Sequence, residues 1–110
     1  MTKRKILIDL DGVLNEYNGK FNENEIPPIK LGAKSFLSQL SKKAELYLFT
    51  ARDKELATKW LIQNEIDKYF KDVTNVKIPA YLYIDDRTIC FNGDYDILLE
   101  KIKRFKTYWQ

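Results

Sequence analysis

Short apolar runs alternate with segments of helical periodicity along this chain. The runs at residues 5–8, 45–49 and 80–84 are nearly continuous, rich in β-branched or aromatic side chains, and followed by polar residues. Such runs are typical of strands that are buried on both faces of a sheet. We therefore predict three buried strands, and a further short strand at residues 73–76.

Three helices are predicted between and after these strands, because apolar residues recur there at the spacing of one helix face. Gly32 precedes the first helix, and Asp53 and Asp94 occupy the N-cap positions of the other two. The three apolar stripes consist of Ala33, Phe36, Leu37 and Leu40; Leu56, Ala57, Trp60 and Leu61; and Tyr95, Leu98, Leu99, Ile102 and Phe105.

The alternating order of strands and helices is typical of a parallel sheet with right-handed crossovers and helices on both faces. The predicted fold class is therefore α/β, a Rossmann-like three-layer sandwich with a mainly parallel sheet. A chain of 110 residues is long enough for one hydrophobic core and too short for two. We expect a single domain over residues 1–110.

The composition excludes several kinds of chemistry. The chain has no histidine, and Cys90 is its only cysteine; Ser-His and Cys-His catalytic pairs, an internal disulfide and a cysteine zinc site are thereby excluded. The net charge of +3 is mild, and no basic stripe of the kind that binds nucleic acid is present. No apolar segment is long enough for a signal peptide or a membrane span. We predict a cytoplasmic protein without a membrane partner.

Two carboxylates, Asp9 and Asp11, follow the first apolar run and precede Gly12. Side chains at i and i+2 of an extended segment point the same way, so both carboxylates are expected to face one pocket. Adjacent negative charges are relieved by a cation or a shared proton, and Mg²⁺ is the ion expected with oxygen ligands. The alternative for an isolated pair of this kind is a turn cap.

Further polar residues follow the other predicted strands. Thr50 and Arg52 come after the second strand, Lys77 after the short strand, and the Asp85-Asp86 pair after the last. Ligands of parallel α/β sheets bind outside the carboxyl ends of the strands. These residues and the first Asp pair are therefore predicted to form one site.

Four motifs in this order resemble those of the haloacid dehalogenase-like phosphohydrolase superfamily. The resemblance covers about residues 5–93, and the first and last motifs are the specific ones. The motifs are Asp9-Leu10-Asp11-Gly12-Val13-Leu14, Phe49-Thr50-Ala51-Arg52, Lys77, and Ile84-Asp85-Asp86-Arg87.

The resemblance implies a phosphatase that acts through an aspartyl-phosphate. Asp9 would be the nucleophile, and Asp11 the general acid and base. Mg²⁺ would be held by the Asp9 carboxylate, the Asp11 backbone carbonyl and Asp85, with Asp86 binding the ion or orienting a water molecule on it.

The resemblance also implies how phosphate would be bound. Thr50 and the backbone N–H groups of Ala51 and Arg52 would hold phosphoryl oxygens, and Lys77 would neutralise their charge. The Arg52 and Arg87 side chains could clamp phosphate or pair with the neighbouring carboxylates, and the sequence leaves both options open.

Receiver domains use similar residues, but there the acidic pair follows the first strand and the lysine comes last. Here Lys77 precedes the last acidic pair, and this order favours the phosphohydrolase. The two intervals in which this superfamily carries cap domains are short, so we expect a capless domain. A small hairpin is predicted at residues 15–21, with Asn18-Gly19 at its turn.

The predicted function is Mg²⁺-dependent hydrolysis of a phosphomonoester whose substrate class is open. The alternatives are a phosphatase for nucleic-acid ends carrying a 3′-phosphate, which is possible but not favoured, and a non-catalytic module that binds Mg²⁺ or phosphate. The site would admit large substrates or be closed by a second subunit, so a homo-oligomer is possible. The aromatic residues, Trp109 among them, are interpreted as core and edge residues.

Overall fold

The computed structural model describes residues 3–110 as an α/β fold built on one sheet of four strands. All three strand pairs are parallel, and the order across the sheet is β3-β2-β1-β4. The predicted Rossmann-like class is confirmed. The strands are β1 (Arg4–Asp9), β2 (Ala44–Phe49), β3 (Phe70–Thr74) and β4 (Leu82–Ile84).

Three α-helices and one short 3₁₀ helix complete the fold. The α-helices are α1 (Ala33–Ser41), α2 (Lys54–Gln63) and α3 (Tyr95–Arg104), and the 3₁₀ helix is Asp67–Tyr69. The predicted N-caps are confirmed, because Asp53 accepts a hydrogen bond from the Leu56 N–H, and Asp94 from the N–H groups of Asp96 and Ile97. No helix within residues 3–110 has both the length and the apolar character needed to cross a bilayer.

The core lies between one face of the sheet and the helices α1 and α2. Alternate residues of β1 and β2 pack there with buried residues of both helices, as expected for side chains that share one sheet face. The residues of these four elements that form this core are Ile6, Ile8, Ala44, Leu46, Leu48, Ala33, Leu37, Ala57, Trp60 and Leu61.

Helix α3 differs from its prediction. The predicted packing of helices on both faces of the sheet implies a buried apolar stripe, yet none of the ten residues of α3 is buried, and Leu99 and Ile102 are more than half exposed. The amphipathic pattern and the cap are enough to define the helix, but they do not determine what its apolar face contacts.

The predicted hairpin at residues 15–21 is also wrong. Asn15 instead forms an isolated antiparallel bridge with Ile29, flanked by hydrogen bonds from the Glu16 N–H to Pro28 O and from the Lys30 N–H to Leu14 O. We call the loop closed by this bridge the flap (residues 15–29). At the expected turn, the Asn18 side chain accepts a hydrogen bond from the Lys20 N–H, which gives a local turn without paired strands.

Candidate metal centre

Three carboxylates meet where β1 and β4 end. Asp9 is the last residue of β1, and Asp85 and Asp86 follow β4, which pairs with β1. One oxygen from each of these three side chains lies within 4.8 Å of the others. We call this group the acidic trio, and it brings together three of the predicted metal ligands.

Burial and like charge act together on Asp9. Desolvation, followed by the charges of Asp85 and Asp86, raises the pKa of Asp9 from 3.8 to about 7. The pKa of Asp86 is also raised, with burial as the largest cause. The charges of Asp85 and Asp86 therefore disfavour ionisation of Asp9 unless a positive charge is present.

Asp86 has one oxygen that lacks a partner. Its Oδ2 accepts a hydrogen bond of 2.5 Å from the Trp109 indole N–H, whereas its Oδ1 is buried without a hydrogen-bond partner among residues 3–110. A buried, unpaired carboxylate oxygen is costly. A donor set made only of carboxylate oxygens suits a hard divalent cation such as Mg²⁺, so these residues fit the predicted ion.

Gly12 allows the loop after β1 to approach Asp86. Its φ is +84°, and a Cβ built at this position would lie 2.1 Å from Asp86 Oδ2. Any other residue here would suffer both backbone strain and a clash. The glycine of the first motif is therefore required by close contact within the site itself.

The Asp11 side chain is not placed beside that of Asp9 in the way predicted for residues i and i+2 of a strand. The strand ends at Asp9, and Asp11 lies in the following turn. Its carboxylate accepts two hydrogen bonds from Arg52, from Nε at 2.9 Å and from Nη2 at 3.0 Å, and a third from the Asn15 side-chain amide at 3.0 Å. Asp11 therefore lies beside the acidic trio with its own partners.

Arg52 is an internal ion-pair partner in this conformation. Its side chain is only 1% exposed, and besides Asp11 it donates through Nη1 to the flap carbonyls of Asn22 at 2.7 Å and Glu25 at 3.3 Å. The sequence leaves open whether Arg52 binds phosphate or pairs with a carboxylate. In the structure it pairs with the Asp11 carboxylate. Arg52 joins the flap to the loop after β1.

The predicted phosphate-binding segment lies next to the trio, at the end of β2. Thr50 is buried, its N–H donates to Thr74 O, and its hydroxyl oxygen accepts from the Arg52 N–H. That backbone N–H, predicted to hold a phosphoryl oxygen, is thus already paired, whereas Ala51 is exposed. Thr50 and Ala51 line a cavity of about 460 Å³ beside β3.

Lys77 lines the same cavity as two members of the acidic trio. It lines a space of about 280 Å³ together with Asp9 and Asp85, and its ammonium group is 4.5 Å from the centre of the Tyr83 ring. The structure therefore places Lys77 at the cavity that Asp9 and Asp85 line, although residues 75–80 form neither helix nor strand.

Two residues of the site were missed by the sequence analysis. Asn15 is fully buried, and its side-chain oxygen accepts from the N–H groups of Gly12 and Tyr17. Asn15 directly follows the apolar residues Val13 and Leu14 and precedes a loop. A polar residue at such a position indicates a turn of this kind. Trp109, interpreted as an edge aromatic, contacts Asp86, and no local pattern predicts a contact across that sequence separation.

The chain is similar to a solved structure, that of a conserved protein from Bacteroides thetaiotaomicron. The two share 26% sequence identity, and the match covers 97% of this chain and 95% of the other, with a TM-score of 0.63. No protein-family model matches this chain, and no curated protein matches it. The similarity supports the fold over nearly the full length of both chains.

Proposed function

We propose that this protein is a Mg²⁺-dependent phosphomonoester hydrolase of the haloacid dehalogenase-like type, with Asp9 as its nucleophile. The observation that carries the proposal is the acidic trio, with one oxygen from each carboxylate within 4.8 Å of the others at the ends of two paired strands. Lys77 in the same cavity and Thr50 at the end of the next strand support it.

The residues suit phosphoryl transfer in two steps. In the first, an Asp9 oxygen bonds to phosphorus while the bond to the leaving oxygen breaks, and Asp11 gives that oxygen a proton. In the second, Asp11 takes a proton from water, the water oxygen bonds to phosphorus, and the Asp9–phosphorus bond breaks. Inorganic phosphate leaves, and both carboxyl groups return to their starting states.

Asp9, Asp85 and Asp86 would hold Mg²⁺, which when bound would offset the charge of the carboxylates and of the phosphate. Lys77 would add a second positive charge on the cavity side. The Thr50 hydroxyl oxygen already accepts a hydrogen bond from the Arg52 N–H, which leaves its O–H group as a donor. This O–H group would donate to a phosphoryl oxygen.

The hydrogen bonds of Asp11 set a condition on its acid and base role. Both of its oxygens accept from Arg52 in this conformation, and Oδ1 accepts from Asn15 as well. These three donors leave one of the roughly four lone-pair positions of the carboxylate free, and it lies on Oδ2. Proton transfer at Asp11 would therefore use Oδ2 while Arg52 and Asn15 hold the side chain in place.

Turnover of an aryl phosphate tests the proposal. We expect release of phosphate with Mg²⁺, loss of activity in excess EDTA, and loss of activity in the Asp9→Asn variant. Asp67→Asn is the matched control, because Asp67 is an exposed carboxylate on the 3₁₀ helix, and it should retain activity. Equal turnover in EDTA, or by Asp9→Asn, would contradict the mechanism.

A nucleic-acid end is the alternative substrate, and a 3′-phosphorylated oligonucleotide in the same assay tests it. A protein that binds Mg²⁺ but cleaves neither kind of phosphate would instead be the non-catalytic module. Calorimetric titration with Mg²⁺ distinguishes that outcome from the absence of any metal site.

A further inference from the structure

The segment that follows α3 packs on the candidate metal centre, and we call it the strap (residues 105–110). Its Trp109 donates to Asp86, and the Tyr108 hydroxyl donates to the backbone carbonyl of Gly12. The strap is held in shape by two hydrogen bonds, one from the Thr107 N–H to Gln110 Oε1 and one from the Gln110 N–H to Thr107 O. Through Tyr108 the strap contacts the loop after β1, and through Trp109 it contacts the loop after β4.

The Trp109 ring is fixed on its other sides by the flap. It meets the buried Tyr17 ring edge to face, with ring centres 5.3 Å apart, and a Cβ added at Gly19 would lie 2.9 Å from it. The Arg87 guanidinium lies 5.5 Å from the centres of both rings. Aromatic pairs and cations at such distances contribute to packing, so the indole N–H has a defined direction.

We propose that Trp109 is a positioning residue for the metal centre. By holding Asp86 Oδ2, it fixes the carboxylate so that Oδ1, buried and without a partner, is left to bind the ion with Asp9 and Asp85. The proposal rests on the proposed Mg²⁺ site and adds that the strap maintains its geometry. Hydrogen-bond partners of metal ligands commonly set metal affinity in this way.

Calorimetric titration with Mg²⁺ tests the proposal on the full chain. Trp109→Phe keeps an aromatic ring but removes the N–H donor, and we expect it to weaken Mg²⁺ binding roughly 10-fold or more. Trp60→Phe is the matched control: Trp60 is the other tryptophan of the chain and lies in the core, so its replacement should leave the affinity unchanged. Equal affinity in Trp109→Phe and the parent protein would overturn the proposal.

A fluorescence titration gives a second readout that does not depend on the folding of Trp109→Phe. In the Trp60→Phe variant, Trp109 is the remaining indole, and its emission should change with the same Mg²⁺ dissociation constant that calorimetry gives. If the Trp109 emission stays constant while calorimetry detects Mg²⁺ binding, the positioning role of Trp109 is overturned, but the proposed metal site is not. Absence of Mg²⁺ binding by the parent protein would instead overturn the proposed metal site, and this inference with it.

Discussion

Asp9 combines a position at a strand end with partial burial beside two other carboxylates. The folded state therefore binds its proton more tightly than the unfolded state does, with a pKa of about 7 against 3.8. The stability that this proton supplies is fully present below the lower value and is lost as the pH rises through the higher one. As the pH rises above about 7, the metal-free protein thus carries an unfavourable negative charge on Asp9.

Asp9→Asn should consequently stabilise the metal-free protein at pH 8, because it removes that charge. We expect a gain on the order of 2 kcal/mol in the free energy of unfolding, after a discount for solvent screening, and little gain at pH 4. Urea unfolding in the presence of chelator measures both values. A variant no more stable than its parent at pH 8 would show that ionisation of the Asp9 carboxyl group does not destabilise the folded protein.

At the scale of elements, Arg52 connects three parts of the fold. It lies just before α2, pairs with Asp11 after β1, and donates to two carbonyl groups of the flap. Removing one partner of a buried ion pair leaves the other charge uncompensated. The flap, which has one antiparallel bridge at its base, would also lose two of its contacts with the rest of the domain.

Arg52→Gln should therefore destabilise the protein by about 3–5 kcal/mol and expose the flap to trypsin at Lys20. Lys54→Gln is the control, because the ion pair of Lys54 with Asp72 is exposed, and it should cost less than about 1 kcal/mol. Urea unfolding and limited proteolysis measure the two effects. Similar losses in both variants would mean that burial of the Arg52 pair adds nothing.

Helix α3 is capped but contributes no buried residue. We expect Leu99→Ala to cost less than about 1 kcal/mol in the free energy of unfolding, whereas Leu37→Ala, at a fully buried position, should cost about 2–5 kcal/mol. Urea unfolding of both variants at low protein concentration provides the comparison. A large loss for Leu99→Ala would indicate that the α3 stripe is covered in solution.

At the scale of the whole molecule, the flap and the strap both contact the loops around the acidic trio. Because each is short, they offer few contacts to the remote parts of a small substrate, and such contacts are what lower a barrier selectively. Discrimination among phosphates should then depend on a large substrate or on a second subunit.

We predict weak selection and a high KM toward free sugar phosphates and nucleotides. Values of kcat/KM over a panel that also contains phosphopeptides and 3′-phosphorylated oligonucleotides, taken with the solution mass, measure this. Sharp selectivity for one small phosphate by a monomer would show that the flap and strap already form a closed lid.

The fold class, the N-caps and the strand-end positions of the candidate residues were predictable from the sequence. Periodicity and capping depend on neighbours within a few residues, and parallel topology places all strand ends at one edge. The same local rules failed at the flap, where Asn15 pairs with Ile29, and at α3, whose stripe is exposed.

What the sequence alone determined is therefore the list of groups at one edge of a parallel sheet. Which of them face one another was decided by the tertiary structure, because those contacts join residues far apart in the chain. Arg52 reaches Asp11 and Trp109 reaches Asp86 only after the loops have folded over the sheet. A carboxylate accepts from any donor that packing brings within hydrogen-bond distance, so its partner depends on the whole fold.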